Sequence, residues 1–195
     1  MTLRFTISTA LRRFRVSEEG SISVEAMLIL PILVWCYLGT FVFFDAYRSQ
    51  STNLKAAYTI GDTLSRETGY VTPIYMDSLS ALQKFLVNED NGIARLRVSV
   101  YRYQGSDNTY RVNWSQTRGG AVQLTDALLA QLRPKLPRMP NNENAILVET
   151  WVGYHPTYSV GLQDFTFEDL VVTRPRFAAQ LCQNTNNGDA TTRTC

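Results

Sequence analysis

The chain has 195 residues and a formal net charge of +2, from 19 lysines and arginines against 17 aspartates and glutamates. This balance gives no support for nucleic-acid binding, which requires a concentrated basic surface. The length suits one domain of ordinary size beyond a membrane-spanning segment.

The first predicted element is an apolar helix over residues 21–44, in which Glu25 is the only charged residue. Its 24 residues would extend about 36 Å, enough to cross the roughly 30 Å hydrocarbon layer. The apolar stretch is too long for a cleaved secretory signal, and bulky residues follow it where small ones are needed. Four arginines precede the apolar stretch, namely Arg4, Arg12, Arg13 and Arg15. Positive charge favours the cytoplasmic side, so the N-terminus is predicted to be cytoplasmic and the rest of the chain to lie outside.

Glu25 is costly in such a segment and therefore needs a partner. It lies five residues after Gly20 and about one helical turn from Ser21. A cationic partner would offset part of the cost of burying this carboxylate. The alternative is that Glu25 extends toward the lipid headgroups from its position near the helix end.

An apolar stripe at steps of three and four residues predicts that the helix continues from Asp45 to about Thr68, with Gly69 as a C-cap. One helix of nearly 50 residues results, whose second half packs on an outer domain. A second helix is predicted over residues 77–88, with Asp77 or Ser78 as its N-cap.

Alternation predicts a half-buried strand over residues 94–103 and its hairpin partner over residues 109–116, joined by a polar turn at residues 105–108. In the first strand, the core-facing residues are expected to be Leu96, Val98 and Val100. The opposite face is expected to present Arg95, Arg97, Ser99 and Tyr101. In the second strand three large residues are expected to share a face: Tyr110, Val112 and Trp114.

Thr125 is expected to cap a short helix over residues 126–133, and three prolines then predict an irregular loop. Strands are predicted over residues 145–154 and 165–173. The predicted fold class is therefore α+β, with an antiparallel sheet of about four strands covered by the long helix and shorter ones. The predicted divisions are a leader over 1–20, a transmembrane helix over 21–44, a head domain over 45–181 and a polar tail over 182–195.

Cys182 and Cys195 lie at the ends of this tail and could form a disulfide, which would stabilise the domain by about 3 kcal/mol at most. The alternative is a frayed tail with two free thiols. Cys36, inside the apolar helix, is expected to pack as a small apolar residue.

No catalytic or metal-binding constellation is recognisable, so the chain is not expected to be an enzyme or to need a cofactor. The single histidine, His155, is expected to bond a backbone carbonyl at a strand end. Seven aromatic residues lie on the predicted strands and at their ends: Tyr101, Tyr103, Tyr110, Trp114, Trp151, Tyr154 and Tyr158. About half of them are expected to pack in the core, and the rest to form a contact surface for neighbouring subunits. Arg95 and Arg97 are assigned either to that surface or to a solvated face.

The junction between the basic leader and the apolar helix resembles the class III signal of type IV pilins and pseudopilins. Residues 24–31, Val-Glu-Ala-Met-Leu-Ile-Leu-Pro, are most similar to the TadE/TadF pseudopilins of tight-adherence (Tad, or Flp) pili. Weaker similarity extends to residues 154–156 and 173–177. The chain departs from the usual pattern in having Ser21 as the first mature residue, which leaves N-methylation open, and acidic residues at Glu18 and Glu19.

The resemblance implies that a prepilin peptidase cuts between Gly20 and Ser21, and that Glu25 pairs with an N-terminal amine during assembly. It implies a pilin-like periplasmic head, an inner-membrane location and incorporation into an extracellular pilus. The implied partners are the peptidase, a partner pseudopilin, inner-membrane platform proteins, the major pilin and, indirectly, the assembly ATPase. The expected function is that of a minor pseudopilin in surface adherence, TadE-like or TadF-like. The alternative is an uncleaved bitopic protein whose periplasmic domain binds a partner.

Overall fold

The computed structural model describes residues 21–88, 93–187 and 189–195. Its longer elements follow the predicted order, with an additional set of two- and three-residue strands. The elements are α1 (Ser21–Arg66), β1 (Tyr70–Val71), α2 (Pro73–Val87), β2 (Ala94–Gln104), β3 (Thr109–Arg118), α3 (Asp126–Leu132), β4 (Asn144–Tyr154), β5 (Phe165–Thr173), β6 (Cys182–Asn184) and β7 (Arg193–Thr194). Short 3₁₀ turns lie at Arg133–Lys135 and Ala190–Thr192.

The chain divides into two compact units, and α1 contributes to both of them. The described part of the first unit comprises residues 21–45 of α1 and the loop Thr157–Leu162. Within it, the rings of Phe41 and Tyr158 meet edge to face at 6.3 Å. Pro31 lies inside α1 without ending it. The helix covers 46 residues, which agrees with the predicted length of nearly 50.

The second unit comprises Ala46–Pro156 and Gln163–Cys195. Its main sheet has four antiparallel strands in the order β3-β2-β4-β5. The α+β class and the four-stranded antiparallel sheet are therefore confirmed. A smaller sheet in the order β1-β6-β7 was not predicted, and it pairs β1 parallel to β6 and β6 antiparallel to β7.

One face of the main sheet is covered by the second half of α1 and by α2. A cluster of buried apolar residues fills this interface, in which Ile60 and Leu64 from α1 and Met76 and Leu79 from α2 meet strand residues. The start of α2 corrects the prediction, because the N-cap is Thr72, whose hydroxyl accepts the Tyr75 backbone N–H. Proline after the cap is favoured at the first helical position, so the helix begins at Pro73, four residues earlier than expected.

The other face of the sheet is covered by residues 119–143, which include α3. Leu129 from α3 and Leu124, Leu136 and Met139 from the flanking loops pack there against Tyr101 and its neighbours. The prediction that β2 is half-buried was therefore wrong, because Arg97, Ser99 and Tyr101 on its second face are all buried.

A β-bulge in the β2–β3 pair corrects a second sequence prediction. Val100 pairs with Trp114 whereas Tyr101 pairs with Val112, so Asn113 is an extra residue on β3. An extra residue reverses the alternation of side chains between the two faces. Trp114 consequently joins the core under the helices, while Val112 packs against the opposite cluster.

We expect that Gly61→Ala will raise the free energy of unfolding by about 0.5–1 kcal/mol, because glycine is a poor residue inside a helix. A Cβ at position 61 would lie 3.6 Å from Val171 and 3.7 Å from Thr173, which is ordinary contact. Urea denaturation of the purified chain in detergent micelles would measure the change.

Gly119→Ala is the matched control for this substitution. Gly119 has φ +72°, and a Cβ there would clash with the Ala94 carbonyl oxygen. The same one-carbon addition should therefore destabilise the chain at position 119. A loss of stability in Gly61→Ala would contradict the packing described for α1.

Candidate functional site

The N-terminal part of α1 contains Ser21 and Glu25, two of the residues for which the sequence predicts a role in processing and assembly. Gly20 and the rest of the predicted leader lie outside the described residues. Ser21 is the first residue of α1, and the side chain of Glu25, about one turn further along, is exposed. The structure therefore places Ser21 and Glu25 on one helix, at the spacing that the sequence predicts.

This part of α1 is apolar and is exposed almost throughout. Its most exposed large apolar side chains include Met27, Leu30, Leu33, Trp35, Tyr37 and Phe44. By length and composition, α1 is able to cross a membrane once. Cys36 is also exposed on this helix and is not in a disulfide.

The predicted disulfide between Cys182 and Cys195 is present. It joins β6 to the residue that follows β7, within the smaller sheet. The guanidinium of Arg193 lies 4.6 Å from the centre of the Tyr70 ring, and Gln116 Nε2 donates to Gln183 Oε1 at 3.1 Å. These contacts attach the tail to the domain, so it is not frayed.

The second face of the main sheet contains a buried ion pair that the sequence analysis missed. Arg97 Nε and Nη2 donate to the two carboxylate oxygens of Glu149 at 2.5 and 2.6 Å. Arg97 Nη1 also donates to the Val122 carbonyl at 2.8 Å, and its guanidinium lies 5.1 Å from the centre of the Trp151 ring. Glu149 is fully buried. The pair could not be predicted from alternation along the strands, because alternation does not show that a loop covers this face of the sheet.

A second buried polar contact lies between α1 and the sheet. Asn53, which is fully buried, donates to Asp169 Oδ2 at 2.6 Å. Burial raises the pKa of the Asp169 carboxyl above its ordinary value, and the hydrogen bond from Asn53 opposes this rise. Among the residues that the structure describes, Asn53 Oδ1 and Thr150 Oγ1 have no hydrogen-bond partner, and both atoms are buried. Burial of unpaired polar atoms destabilises this interface.

His155 has a different partner from the one predicted. Its Nδ1 lies 2.8 Å from Asp164 Oδ2, and both side chains are exposed. This contact joins the two ends of the β4–β5 loop. A carboxylate nine residues further along the chain was not recognisable as a neighbour from the sequence. Within the described ranges, no three histidine, cysteine, aspartate or glutamate side chains group at metal-binding distance.

Six of the seven aromatic residues that were divided between the core and a contact surface are buried or half-buried. Tyr101, Trp114 and Tyr154 are buried, and Tyr103, Tyr110 and Trp151 are half-buried; Tyr158 is exposed. Of the two arginines assigned to the same face, Arg95 is exposed and Arg97 is buried. Core packing therefore accounts for most of these aromatic residues.

One cavity of the head domain was not foreseen from the sequence. It has a volume of about 620 Å³ and lies between the β2–β3 turn and the loop after α3. Its walls combine tyrosine rings with two arginines, Arg133 and Arg138.

Comparisons of the chain with protein-family models, with curated proteins and with solved structures found no match.

Proposed function

We propose that this chain is a minor pseudopilin of a Tad-type pilus, trimmed by a prepilin peptidase and then transferred from the inner membrane into a pilus assembly. The observation that carries the proposal is the division of α1. Its residues before Asp45 expose an apolar surface with one carboxylate, whereas Ile60 and Leu64 are buried against the sheet. The resemblance of residues 12–39 to pseudopilin signals supports the same function.

A helix of this kind suits transfer between two apolar environments. In lipid, the exposed side chains of residues 21–44 contact acyl chains; in a filament, the same side chains would contact helices of neighbouring subunits. The second half of α1 keeps its packing on the sheet in both states, so the head need not unfold. The protein would act by packing and charge pairing, without catalysis.

The proposal places the N-terminus in the bacterial cytoplasm and the head in the periplasm, as the arginines of the leader favour. The disulfide between Cys182 and Cys195 suits an oxidising compartment such as the periplasm. The partners would be the prepilin peptidase, a partner pseudopilin, the inner-membrane platform proteins and the major pilin.

Processing provides the test. Co-expression with the prepilin peptidase should shorten the chain by 20 residues, about 2 kDa at roughly 110 Da per residue. Gly20→Ala should abolish the shift, because the residue before the cut would no longer match the signal. Gel mobility and the N-terminal sequence of the product would measure it.

Gly39→Ala is the matched control, since a Cβ at this position of α1 meets nothing within 4 Å. It should be shortened as the parent chain is. An unchanged mobility of the parent chain in the presence of active peptidase would contradict the proposal and favour a permanently anchored protein.

A further inference from the structure

The cavity between the β2–β3 turn and the loop after α3 has the composition of an anion site. Eight residues line it: Tyr103, Asn108, Tyr110, Arg133, Pro134, Leu136, Arg138 and Met139. None of these eight described residues is acidic, while two are arginines. Its volume of about 620 Å³ lies within the range of small-molecule sites.

Arg133 is fixed in this cavity by neutral groups. Its Nη1 donates to the Asn108 backbone carbonyl at 2.9 Å, and its Nη2 donates to Asn108 Oδ1 at 2.7 Å. Tyr103 donates its hydroxyl to the same Asn108 Oδ1 at 3.0 Å. Asn108 has φ 51°, in the left-handed region, and both its backbone carbonyl and its side-chain oxygen accept hydrogen bonds from Arg133. The guanidinium is therefore positioned without being neutralised.

This arrangement differs from that of the other fixed arginines of the chain. Within the described residues, six arginines lie within ion-pair distance of a carboxylate: Arg66, Arg97, Arg111, Arg118, Arg174 and Arg176. Arg133 has neutral acceptors instead, and three of its five N–H donors remain for another group. A positioned cation with unused donors is prepared to bind an anion.

Arg138 adds a second positive charge to the cavity. Its side chain is exposed, and it has no ion-pair partner among the residues that the structure describes. The rings of Tyr103 and Tyr110, whose centres are 5.2 Å apart, also line the cavity. Tyr110 is itself fixed, because its hydroxyl donates to the Pro137 carbonyl at 2.9 Å. Leu136 and Met139 supply buried apolar contacts.

We propose that this cavity binds a sugar acid, that is, one or two pyranose rings bearing a carboxylate. The carboxylate would accept hydrogen bonds from Arg133 and Arg138, whose planar guanidinium groups match its geometry. The C–H face of the sugar ring would pack on Tyr103 and Tyr110. A free phosphate would use the charge but not the aromatic walls or the volume.

The inference goes beyond the proposed function, and it stands on residues of the head alone. Binding does not depend on whether the chain is cut at Gly20. Failure to bind would leave the processing result unaffected, and failure of processing would leave the binding result unaffected.

Isothermal titration of the full chain in detergent micelles tests the proposal, with digalacturonic acid as the probe and galactobiose as its neutral counterpart. Digalacturonic acid should bind, and galactobiose should bind at least about tenfold more weakly, as expected for the loss of charge-assisted hydrogen bonds. Arg138→Gln should raise the Kd for digalacturonic acid about tenfold. Arg138 is suited to this test because its side chain bonds no other described residue.

Lys135→Gln is the matched control, because Lys135 is exposed on the same loop but does not line the cavity. The same charge change there should alter the Kd by less than about twofold, the size expected for screened charges. Equal affinity for galactobiose, or equal effects of Arg138→Gln and Lys135→Gln, would overturn the proposal. Displacement of digalacturonic acid by an equal concentration of inorganic phosphate would overturn the assignment to a sugar acid.

Discussion

Glu149→Gln is expected to lower the free energy of unfolding of the head domain by about 3–5 kcal/mol, the cost of leaving one member of a buried ion pair uncompensated. The substitution keeps the size of the side chain but removes its charge. Arg97 would then remain buried without a counter-charge, held by the Val122 carbonyl and the Trp151 ring alone. Urea denaturation of the full chain in micelles, followed by tryptophan fluorescence, would measure the loss.

The geometry explains why the effect should be large. The side chain of Arg97 is 9% exposed and that of Glu149 is 0% exposed, so water cannot replace the missing charge. Both carboxylate oxygens accept hydrogen bonds from the guanidinium, so the amide of a glutamine would also turn an N–H donor toward another donor.

Two control variants separate the charge effect from the packing effect. Arg66→Gln breaks an exposed pair with Asp62 and should cost less than about 1 kcal/mol. The double variant Arg97→Met with Glu149→Leu removes both charges and should regain much of the stability lost in Glu149→Gln. A Glu149→Gln chain as stable as the parent would show that the pair is not buried in solution.

The ion pair also illustrates which part of the fold could be predicted from the sequence. Alternation along residues 94–103 identifies the strand, and local turn residues identify the hairpin. Burial of its second face depends on residues 119–143 folding back over Arg97 and Tyr101, which periodicity along one strand cannot report. The bulge at Asn113 was missed for a related reason, because it appears only when two strands are paired.

Local signals were sufficient where one segment determines its own structure. The N-cap at Thr125 and the extent of α1 follow from neighbouring residues, and both were predicted. The smaller sheet was missed because its strands have two or three residues each and pair Tyr70 with Cys182, far apart in sequence. Such short strands have no periodicity of their own.

The same distinction applies to the candidate sites. Gly20, Ser21 and Glu25 lie within six residues of one another, so the proposed processing signal could be predicted from the sequence alone. The cavity could not be predicted, because Tyr103 and Asn108 meet Arg133 only after the hairpin and the loop following α3 come together. Three cations in the segment 133–138 were a visible hint, yet only the structure distinguishes Arg138, which lines the cavity, from Lys135, which does not.

Glu25→Ala is expected to leave cleavage after Gly20 intact but to prevent assembly of the cut protein into a pilus. Processing depends on the leader and the residues beside the cut, whereas assembly would bring the new amino group of one subunit into an apolar helix bundle. There an unpaired ammonium would cost about 3–5 kcal/mol, so incorporation should fall by about two to four orders of magnitude. Immunoblots of sheared pili against whole-cell fractions would measure both steps.

The choice of substitutions separates charge pairing from the competing explanation that Glu25 extends to the lipid headgroups. Glu25→Gln keeps the shape and polarity but not the charge, and it should fail to assemble as Glu25→Ala does. Glu25→Asp keeps the charge on a shorter side chain and should retain partial assembly. If Glu25 served only to reach the headgroups, Glu25→Ala would insert more easily and assemble normally, because it removes the one carboxylate from an otherwise apolar surface. Normal piliation in that variant would therefore exclude the charge-pairing role.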